Sequence, residues 1–547
     1  MPETDVVTDA PLGPTNSTLV GSAALALGIL LAFAEAVFLL LTGKDLVDAI
    51  WPHAVRSLDW TMTLRTMPSL ALTLFLVSAT LAWSLKKTVD KHPSIQRNVH
   101  FGLNLAIGLM LGLIALHIVM DVFYLRGAFL LLPTMMGWVL GCLLLARAGA
   151  PTWRTLDSAA FSWPRFIHLL GVFFAAWLVM PGIPAVIGLA PSPPEAPALG
   201  YGSTPGPYST MQYQSPYTMP EEVVSVQGPL EDDVTFSVYV TLPVLPTDSP
   251  VTHVPLAILL HGFGYPDVNA YQAWITHLAA KGMAVAFLQY PSDIRPEGHE
   301  THNEIDENGM SNFLQHVYRD IALRAALNHL DSVLLSPERS PEFDDHLGHV
   351  VVDPATLWVG GHSLGAAYTF LVLDEALGNG WGNHALVVAL EAPASRPVQD
   401  ALQPDLSSLP NETLVQIAVA QDDMSVGVCP GAFHQQQFAA LPTQRNQLIE
   451  VQSDKYGFPR LVASHYLQTD PAHDTLADWS FYRRVDAQAD FLVAKARNDT
   501  FTADWAFQYL TDEVMLANMG SWSDGTPVLP LLIHHDALDK AAFSSCE

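Results

Sequence analysis

The stretch TLWVGGHSLGAAYTFLVLDEAL, residues 356–377, carries the strongest indication of the fold. Its opening TLWVG is a short apolar run typical of a buried strand, and AAYTFLVLDEAL has the composition of a helix. Between them lies Gly361-His362-Ser363-Leu364-Gly365, a G-x-S-x-G pattern. In this context the pattern predicts a sharp strand-to-helix turn that presents Ser363 as a nucleophile, because small flanking residues relieve the crowding of its backbone. The alternative is a turn serine without a catalytic role.

Short runs rich in Val, Ile, Leu and Ala alternate with helix-like stretches on both sides of this motif. Several runs are apolar on both faces, as strands of a buried parallel sheet must be. The alternation predicts an α/β domain with a mostly parallel, doubly wound sheet and helices on both faces. The predicted strands are 235–244, 255–262, 283–291, 356–363, 385–393, 414–423 and 446–454, with helices at 270–282 and 316–330.

A second part of the predicted site lies upstream, in LAILLHGFG (256–264). This strand ends in His261-Gly262-Phe263-Gly264, and a glycine here lets the backbone approach a substrate oxygen. The backbone N–H groups of Phe263 and Leu364 are therefore predicted to form an oxyanion hole.

An acid and a base follow downstream, in the chain order Ser, Asp, His. The strand LVQIAVA ends in Gln421-Asp422-Asp423, where an acid is expected to orient the base. His465, after the next strand, is predicted to be that base. His473 and, less well placed, His434 are the alternatives.

The region from about 225 to 495 resembles the α/β-hydrolase superfamily, and G-H-S-L-G is its lipase and esterase form. The stretch LAILLHGFGYPDVNAYQAWITHLAAKGMAVAFLQYP resembles chlorophyllases, plasma-type platelet-activating-factor acetylhydrolases and polyester-degrading cutinases. The resemblance implies an oxyanion N–H from Phe263. It favours Asp423 over Asp422, because a valine stands three residues later. It also implies acyl transfer in two steps, with neither a metal nor an organic cofactor. The segment after about residue 498 has no counterpart in the basic fold.

The N-terminal part of the chain has a different character. Residues 1–190 hold 11 Lys and Arg and 10 Asp and Glu, whereas the remainder holds 14 and 44. After a tail at 1–17, a helical membrane bundle of about five spans is predicted over 18–190, and four or six spans remain alternatives. The basic loops place the N-terminus inside and the C-terminal domain outside the cell membrane. The spans lie near 18–42, 68–85, 101–125, 127–146 and 166–190.

Polar residues within these spans have two interpretations. Glu35, His117 and Asp121 are either functional intramembrane groups or contacts between the helices of the bundle, and the second is favoured.

A Pro-, Gly- and Tyr-rich linker is predicted at 191–220, between the membrane domain and an α/β domain at 221–547. An extended spacer is the favoured interpretation. The alternative is that its tyrosines pack onto the domain that follows.

Two acidic, histidine-containing stretches are predicted to be loops, of which the first is a candidate lid over the site. One holds His299, His302, Glu304, Asp306 and Glu307, and the other holds Asp344, Asp345, His346 and His349. A metal site is the less favoured alternative, because neither has the H-E-x-x-H pattern. Cys429 and Cys546 either pair or stay reduced, and Cys142 lies in a predicted span.

Taken together, the sequence predicts a membrane-anchored serine hydrolase acting on apolar or amphiphilic esters. A membrane sensor or transporter with a ligand-binding domain is the alternative, as is an acyltransferase or amidase with the same triad. Nucleic acid is excluded as a partner because the soluble part is strongly acidic. The same charge disfavours strongly anionic esters.

Overall fold

The computed structural model describes residues 14–43 and 191–546, apart from 247–248, 297–312, 396–404, 407–408, 455, 458–459 and 540. It also describes residue 49 and some residues between 98 and 116. The chain divides into two compact units. Pro194–Ser453, Val462–Ser521 and Gly525–Glu547 form one, and the residues up to Pro193, with Asp454–Leu461 and Trp522–Asp524, form the other.

In the N-terminal unit, helix α1 (Pro14–Leu41) exposes several of its large apolar side chains, and its buried positions are glycines and alanines. Leu30 and Phe38 are 67% and 64% exposed, while Ala32 and Ala36 are buried. The stretch Leu19–Leu41 is long and apolar enough to cross a bilayer. It is the only such helix among the described residues, so the five-span bundle stays a prediction.

Part of the third predicted span is described and is helical. It lies close against α1, because a Cβ on Gly108 would overlap the backbone carbonyl of Leu25, and one on Gly28 would overlap that of Leu105. The predicted spans at 68–85, 127–146 and 166–190, with His117, Asp121 and Cys142, lie outside the described residues.

The second unit is built on a nine-stranded mixed sheet in the order β1-β2-β4-β3-β5-β6-β7-β8-β9. The strands from β4 to β8 in this order are parallel, while β1, β2 and β9 pair antiparallel at the two edges. The α/β prediction is thus confirmed at the level of a large mixed sheet. The strands are β1 (Thr210–Pro216), β2 (Ser237–Pro243), β3 (His253–Leu260), β4 (Ala284–Leu288), β5 (Val351–His362), β6 (Ala385–Glu391), β7 (Thr413–Ala420), β8 (Asn446–Val451) and β9 (Leu532–His534).

Helices cover both faces of this sheet. On one face Leu357 and Val359 of β5 belong to the main apolar core. On the other, Trp358 packs edge-on against Trp274, and its indole N–H donates to Gln488. The α-helices of five or more residues in the described part of this unit are α2 (Gln272–Lys281), α3 (Phe313–Leu330), α4 (Pro341–Leu347), α5 (Leu364–Gly378), α6 (Cys429–Gln437), α7 (Arg483–Ala496), α8 (Thr500–Thr511) and α9 (Glu513–Ala517), with shorter α-helical turns at Glu221–Val224 and Thr475–Ala477.

The predicted spacer at 191–220 is largely part of this unit. Residues 210–216 are β1, which pairs along its whole length with β2. Upstream, Tyr201 packs edge-on against Tyr509 at 4.8 Å between ring centroids, and the Gly202 N–H donates to the buried carboxylate of Asp486 at 2.7 Å. The extended-spacer interpretation is therefore wrong for these residues. They are ordered by contacts with residues far along the chain, and composition does not encode such contacts.

The segment after residue 498 completes the other edge of the sheet. Helix α8 packs on α7, and β9 pairs with the edge strand β8. A disulfide joins Cys429 of α6 to Cys546 and so fastens this segment to the unit. The pairing with β9 covers backbone groups of β8 that would otherwise be unpaired at the edge of the sheet.

Candidate active site

Ser363 occupies a strained turn between β5 and α5. Its backbone has φ 57° and ψ −119°, a conformation that non-glycine residues rarely adopt. A Cβ on Gly365 would lie 2.5 Å from the carbonyl oxygen of Leu260, and one on Gly361 would lie 2.6 Å from the carbonyl carbon of Gly365. Both flanking positions therefore require glycine, which is the steric reason for the G-x-S-x-G pattern at this site.

The structure brings Ser363, His465 and Asp423 into one hydrogen-bonded chain. His465 Nε2 lies 2.9 Å from Ser363 Oγ, and its Nδ1 lies 2.7 Å from Asp423 Oδ2. All three residues are buried. Because a carboxylate only accepts hydrogen bonds, Nδ1 carries the proton and Nε2 is free to accept the serine proton.

Asp423 is held as a carboxylate by its surroundings. Burial alone would raise its pKa, but the hydrogen bond and charge of His465 and the N–H groups of Val426 and Ser425 outweigh burial and lower the pKa. The two N–H groups donate to Oδ1 at 2.9 and 2.8 Å, so Oδ2 is left to orient the imidazole.

The alternative histidines have other partners. His473 Nε2 lies 2.6 Å from a carboxylate oxygen of Asp478, and His434 Nε2 donates to the carbonyl oxygen of Ala394 at 2.9 Å.

His362, the second residue of the motif, forms a bridge that sequence reasoning missed. Its Nε2 donates to the carbonyl oxygen of His465 at 2.8 Å, and its Nδ1 lies 3.0 Å from the hydroxyl of Tyr271. Burial, with the neighbouring His465 as a smaller cause, lowers the pKa of His362 to about 3, so the ring is neutral. No local pattern marks this contact, because its partners lie about 90 and 100 residues away along the chain.

The two predicted oxyanion residues flank the serine. The backbone comes close at Gly262, where a Cβ would lie 3.2 Å from Ser363 Cβ and 3.1 Å from His362 Nδ1. Phe263 is the next residue after Gly262, so its backbone N–H belongs to the same closely approaching segment. Leu364 is the first residue of α5, where helical N–H groups have no partner within the helix.

A buried ion pair lies beneath the turn. The Arg484 guanidinium donates two hydrogen bonds of 2.8 Å to the carboxylate of Glu391, and both side chains are 1% exposed. Glu391 ends β6, and its carbonyl oxygen accepts the N–H of Ser363 at 2.9 Å. The ion pair therefore helps to fix the end of β6, whose backbone is hydrogen-bonded to that of Ser363.

The two acidic stretches contribute no metal site in the described part of the chain. The residues of the candidate lid, His299 to Glu307, lie outside it. The second stretch was predicted as a loop, but Asp344, Asp345 and His346 lie in α4, and His346 Nδ1 bonds the hydroxyl of Tyr213 at 2.9 Å. Pro341 begins this helix after Ser340, a start signal that the loop prediction overlooked. No group of three His, Cys, Asp or Glu residues described here could hold a metal ion.

Comparisons with known proteins give esterases among solved structures and no match elsewhere. No protein-family model and no curated protein matches the chain. The chain is similar to a thermostable esterase from Pseudomonas putida, with 13% identity and a TM-score of 0.30, covering 53% of this chain and 85% of that one. A mutant of esterase rPPE gives the same identity and TM-score, with 53% and 84% covered. The functional argument therefore rests on the geometry of this chain's own residues.

Proposed function

We propose that this chain is a membrane-anchored serine hydrolase that cleaves carboxylic esters with Ser363, His465 and Asp423. The observation that carries the proposal is the hydrogen-bonded chain from Asp423 through His465 to a serine on a strained turn. A serine hydroxyl is a weak nucleophile unless an oriented base accepts its proton, and this arrangement supplies one.

The reaction follows from these contacts. As Ser363 Oγ attacks the ester carbonyl carbon, His465 Nε2 takes its proton and Asp423 stabilises the imidazolium that forms. The N–H groups of Phe263 and Leu364 stabilise the negative oxygen of the tetrahedral intermediate. His465 then protonates the leaving alkoxide. A water molecule, deprotonated by the same histidine, releases the acid from the acyl-enzyme.

The membrane anchor is supported by helix α1. A water-soluble helix buries its large apolar side chains, whereas α1 exposes Leu30 and Phe38 and buries alanines. Its contact through Gly28 and Gly108 is the close backbone approach typical of helices packed in lipid. A single apolar N-terminal helix is also compatible with a secretory signal sequence. The two interpretations differ in one result, because an anchor stays part of the mature membrane-bound protein whereas a signal sequence is removed.

The disulfide supports an extracytoplasmic hydrolase unit. Disulfides persist in oxidising compartments and are rare in the cytosol. The bond between Cys429 and Cys546 therefore agrees with the orientation that the basic loops predict. In that position the unit would meet apolar or amphiphilic esters near the membrane surface, although its acidic charge disfavours strongly anionic ones.

Labelling with a fluorophosphonate tests the proposal. The wild-type protein in detergent is expected to be labelled covalently and to hydrolyse short p-nitrophenyl esters, and Ser363→Ala should lose both. Ser332→Ala, at an exposed serine outside the site, is the matched control and should keep both. A wild-type protein that neither labels nor cleaves the esters would refute the proposal and favour a ligand-binding role. Esters of increasing acyl length would then define the substrate class.

A further inference from the structure

The peptide unit that carries Phe263 is held from both sides. The N–H of Gly262 donates to the Tyr271 hydroxyl at 3.0 Å, and the N–H of Gly264 donates to the Ser292 hydroxyl at 2.7 Å. Phe263 lies between these two fixed N–H groups. Its own N–H is the one proposed to bind the oxyanion.

The hydroxyl of Tyr271 accepts one hydrogen bond and donates another. A carbonyl oxygen only accepts, so His362 must donate from Nε2 to His465. The neutral ring then accepts at Nδ1, and the Tyr271 O–H is its donor. Tyr271 thus accepts from Gly262 and donates to His362. Tyr271 and His362 are 0% and 2% exposed, so water does not compete for these bonds.

The second contact is built in the same way. Ser292 Oγ accepts from Gly264, and it lies 2.6 Å from Glu231 Oε1, so its proton is donated to the carboxylate. Glu231 is 1% exposed, and its Oε2 accepts the N–H of Ser292 at 2.8 Å. Arg319 holds the same turn by donating to the Ser292 carbonyl oxygen.

We propose that Tyr271 and Ser292 are positioning residues that orient the Phe263 N–H towards the oxyanion of the tetrahedral intermediate. Each hydroxyl accepts a hydrogen bond from a loop N–H and donates one to a buried acceptor, which fixes the orientation of the hydroxyl as well as the loop. Gly264, with φ +62°, and Gly262 lack side chains that would stiffen the loop locally, so the two hydroxyls supply that restraint. This inference rests on the proposed esterase activity.

The test compares inhibitors that need the oxyanion hole with inhibitors that do not. Tyr271→Phe and Ser292→Ala are each expected to lower kcat for p-nitrophenyl butyrate about tenfold. This is less than the loss of a whole oxyanion donor, which costs about 10²–10³-fold. KM should stay within about twofold. The inhibition constant of a trifluoromethyl ketone, which adds to Ser363 and forms an oxyanion, should rise about tenfold, whereas that of the matching alcohol should not change.

Tyr482→Phe is the control. Tyr482 is buried and packs on His277, but its hydroxyl has no hydrogen-bond partner among the described residues. Its kcat and both inhibition constants should match the wild type. The ratio of the two inhibition constants depends only on folded molecules, so partial unfolding of a variant leaves the test intact.

Two results would overturn the inference while leaving the esterase activity standing. One is an unchanged inhibitor ratio in both variants. The other is a higher KM at unchanged kcat, which would assign the two residues to substrate binding. If the wild type hydrolyses no ester, the proposed function fails first and the inference falls with it.

Discussion

Removing either Glu391 or Arg484 alone is expected to lower the free energy of unfolding substantially, because the remaining charge would be buried without its partner. Both side chains are 1% exposed, and Arg484 also donates to the carbonyl oxygen of Ser480 at 2.7 Å. Arg484→Met would leave a buried carboxylate without its counter-charge, and Glu391→Leu would leave a buried guanidinium. Removing one partner of such a pair costs about 3–5 kcal/mol.

That cost translates into a measurable change in melting temperature. The unfolding entropy is about 2.1 cal/mol/K per residue, so a unit of roughly 350 residues has about 0.74 kcal/mol/K. A loss of about 3–5 kcal/mol therefore lowers Tm by about 4–7 °C. Differential scanning fluorimetry in detergent, with the disulfide intact, measures this shift.

The double variant Glu391→Leu/Arg484→Met gives the sharper result. With both charges absent no uncompensated ion remains, so its Tm should fall by clearly less than the sum of the single shifts. Arg324→Met is the control, because Arg324 pairs with Asp320, Asp374 and Glu375 while 38% exposed. An exposed pair of this kind contributes at most about 1 kcal/mol. Additive single shifts, or single shifts no larger than that of Arg324→Met, would refute the reasoning.

Three further predictions concern the site and its surroundings. Asp423→Asn should lower kcat by about 10⁴-fold with little change in KM, because the imidazole loses its orienting carboxylate; steady-state kinetics checks it. The hydrogen bond that His473 donates to the Asp478 carboxylate raises the pKa of His473, so the stabilisation from this pair is complete below pH 6.5 and is lost as pH rises through the raised value. His473→Asn should therefore flatten the dependence of Tm on pH above 6.5 and leave ester hydrolysis unchanged. Cys429→Ser removes the disulfide to Cys546, which closes a loop of 117 residues. The lost loop-closure entropy corresponds to about 5 kcal/mol of stability, so the variant should lower Tm, as reduction of the disulfide does.

The sheet and the candidate triad could be predicted because their signals are local. Each buried strand is a short apolar run, and Ser363, Asp423 and His465 each follow such a run. The carboxyl ends of parallel strands meet at one edge, so chain order alone placed these residues near one another. All seven strands that the sequence predicts are present in the sheet.

What the sequence did not indicate depends on partners far apart in the chain. Tyr271, Ser292 and Glu231 belong to no motif, and three of their hydrogen bonds join residues 28, 61 and 91 positions apart. Strand β1 was missed for a related reason. Its alternation of partly buried and exposed residues is that of an edge strand, and the neighbouring Pro and Gly gave the segment the composition of a spacer.

Residues 194–216 belong to the α/β unit, which limits where a protease could cut the chain without damaging the sheet. A cut within β1 would remove an edge strand of the sheet. A cut between Tyr201 and Met211 would detach Tyr201, which packs against Tyr509, from the chain that continues into β1. A shortened chain that keeps the α/β unit intact should therefore begin at or before Pro194, because one beginning at residue 221 would lack the edge strand.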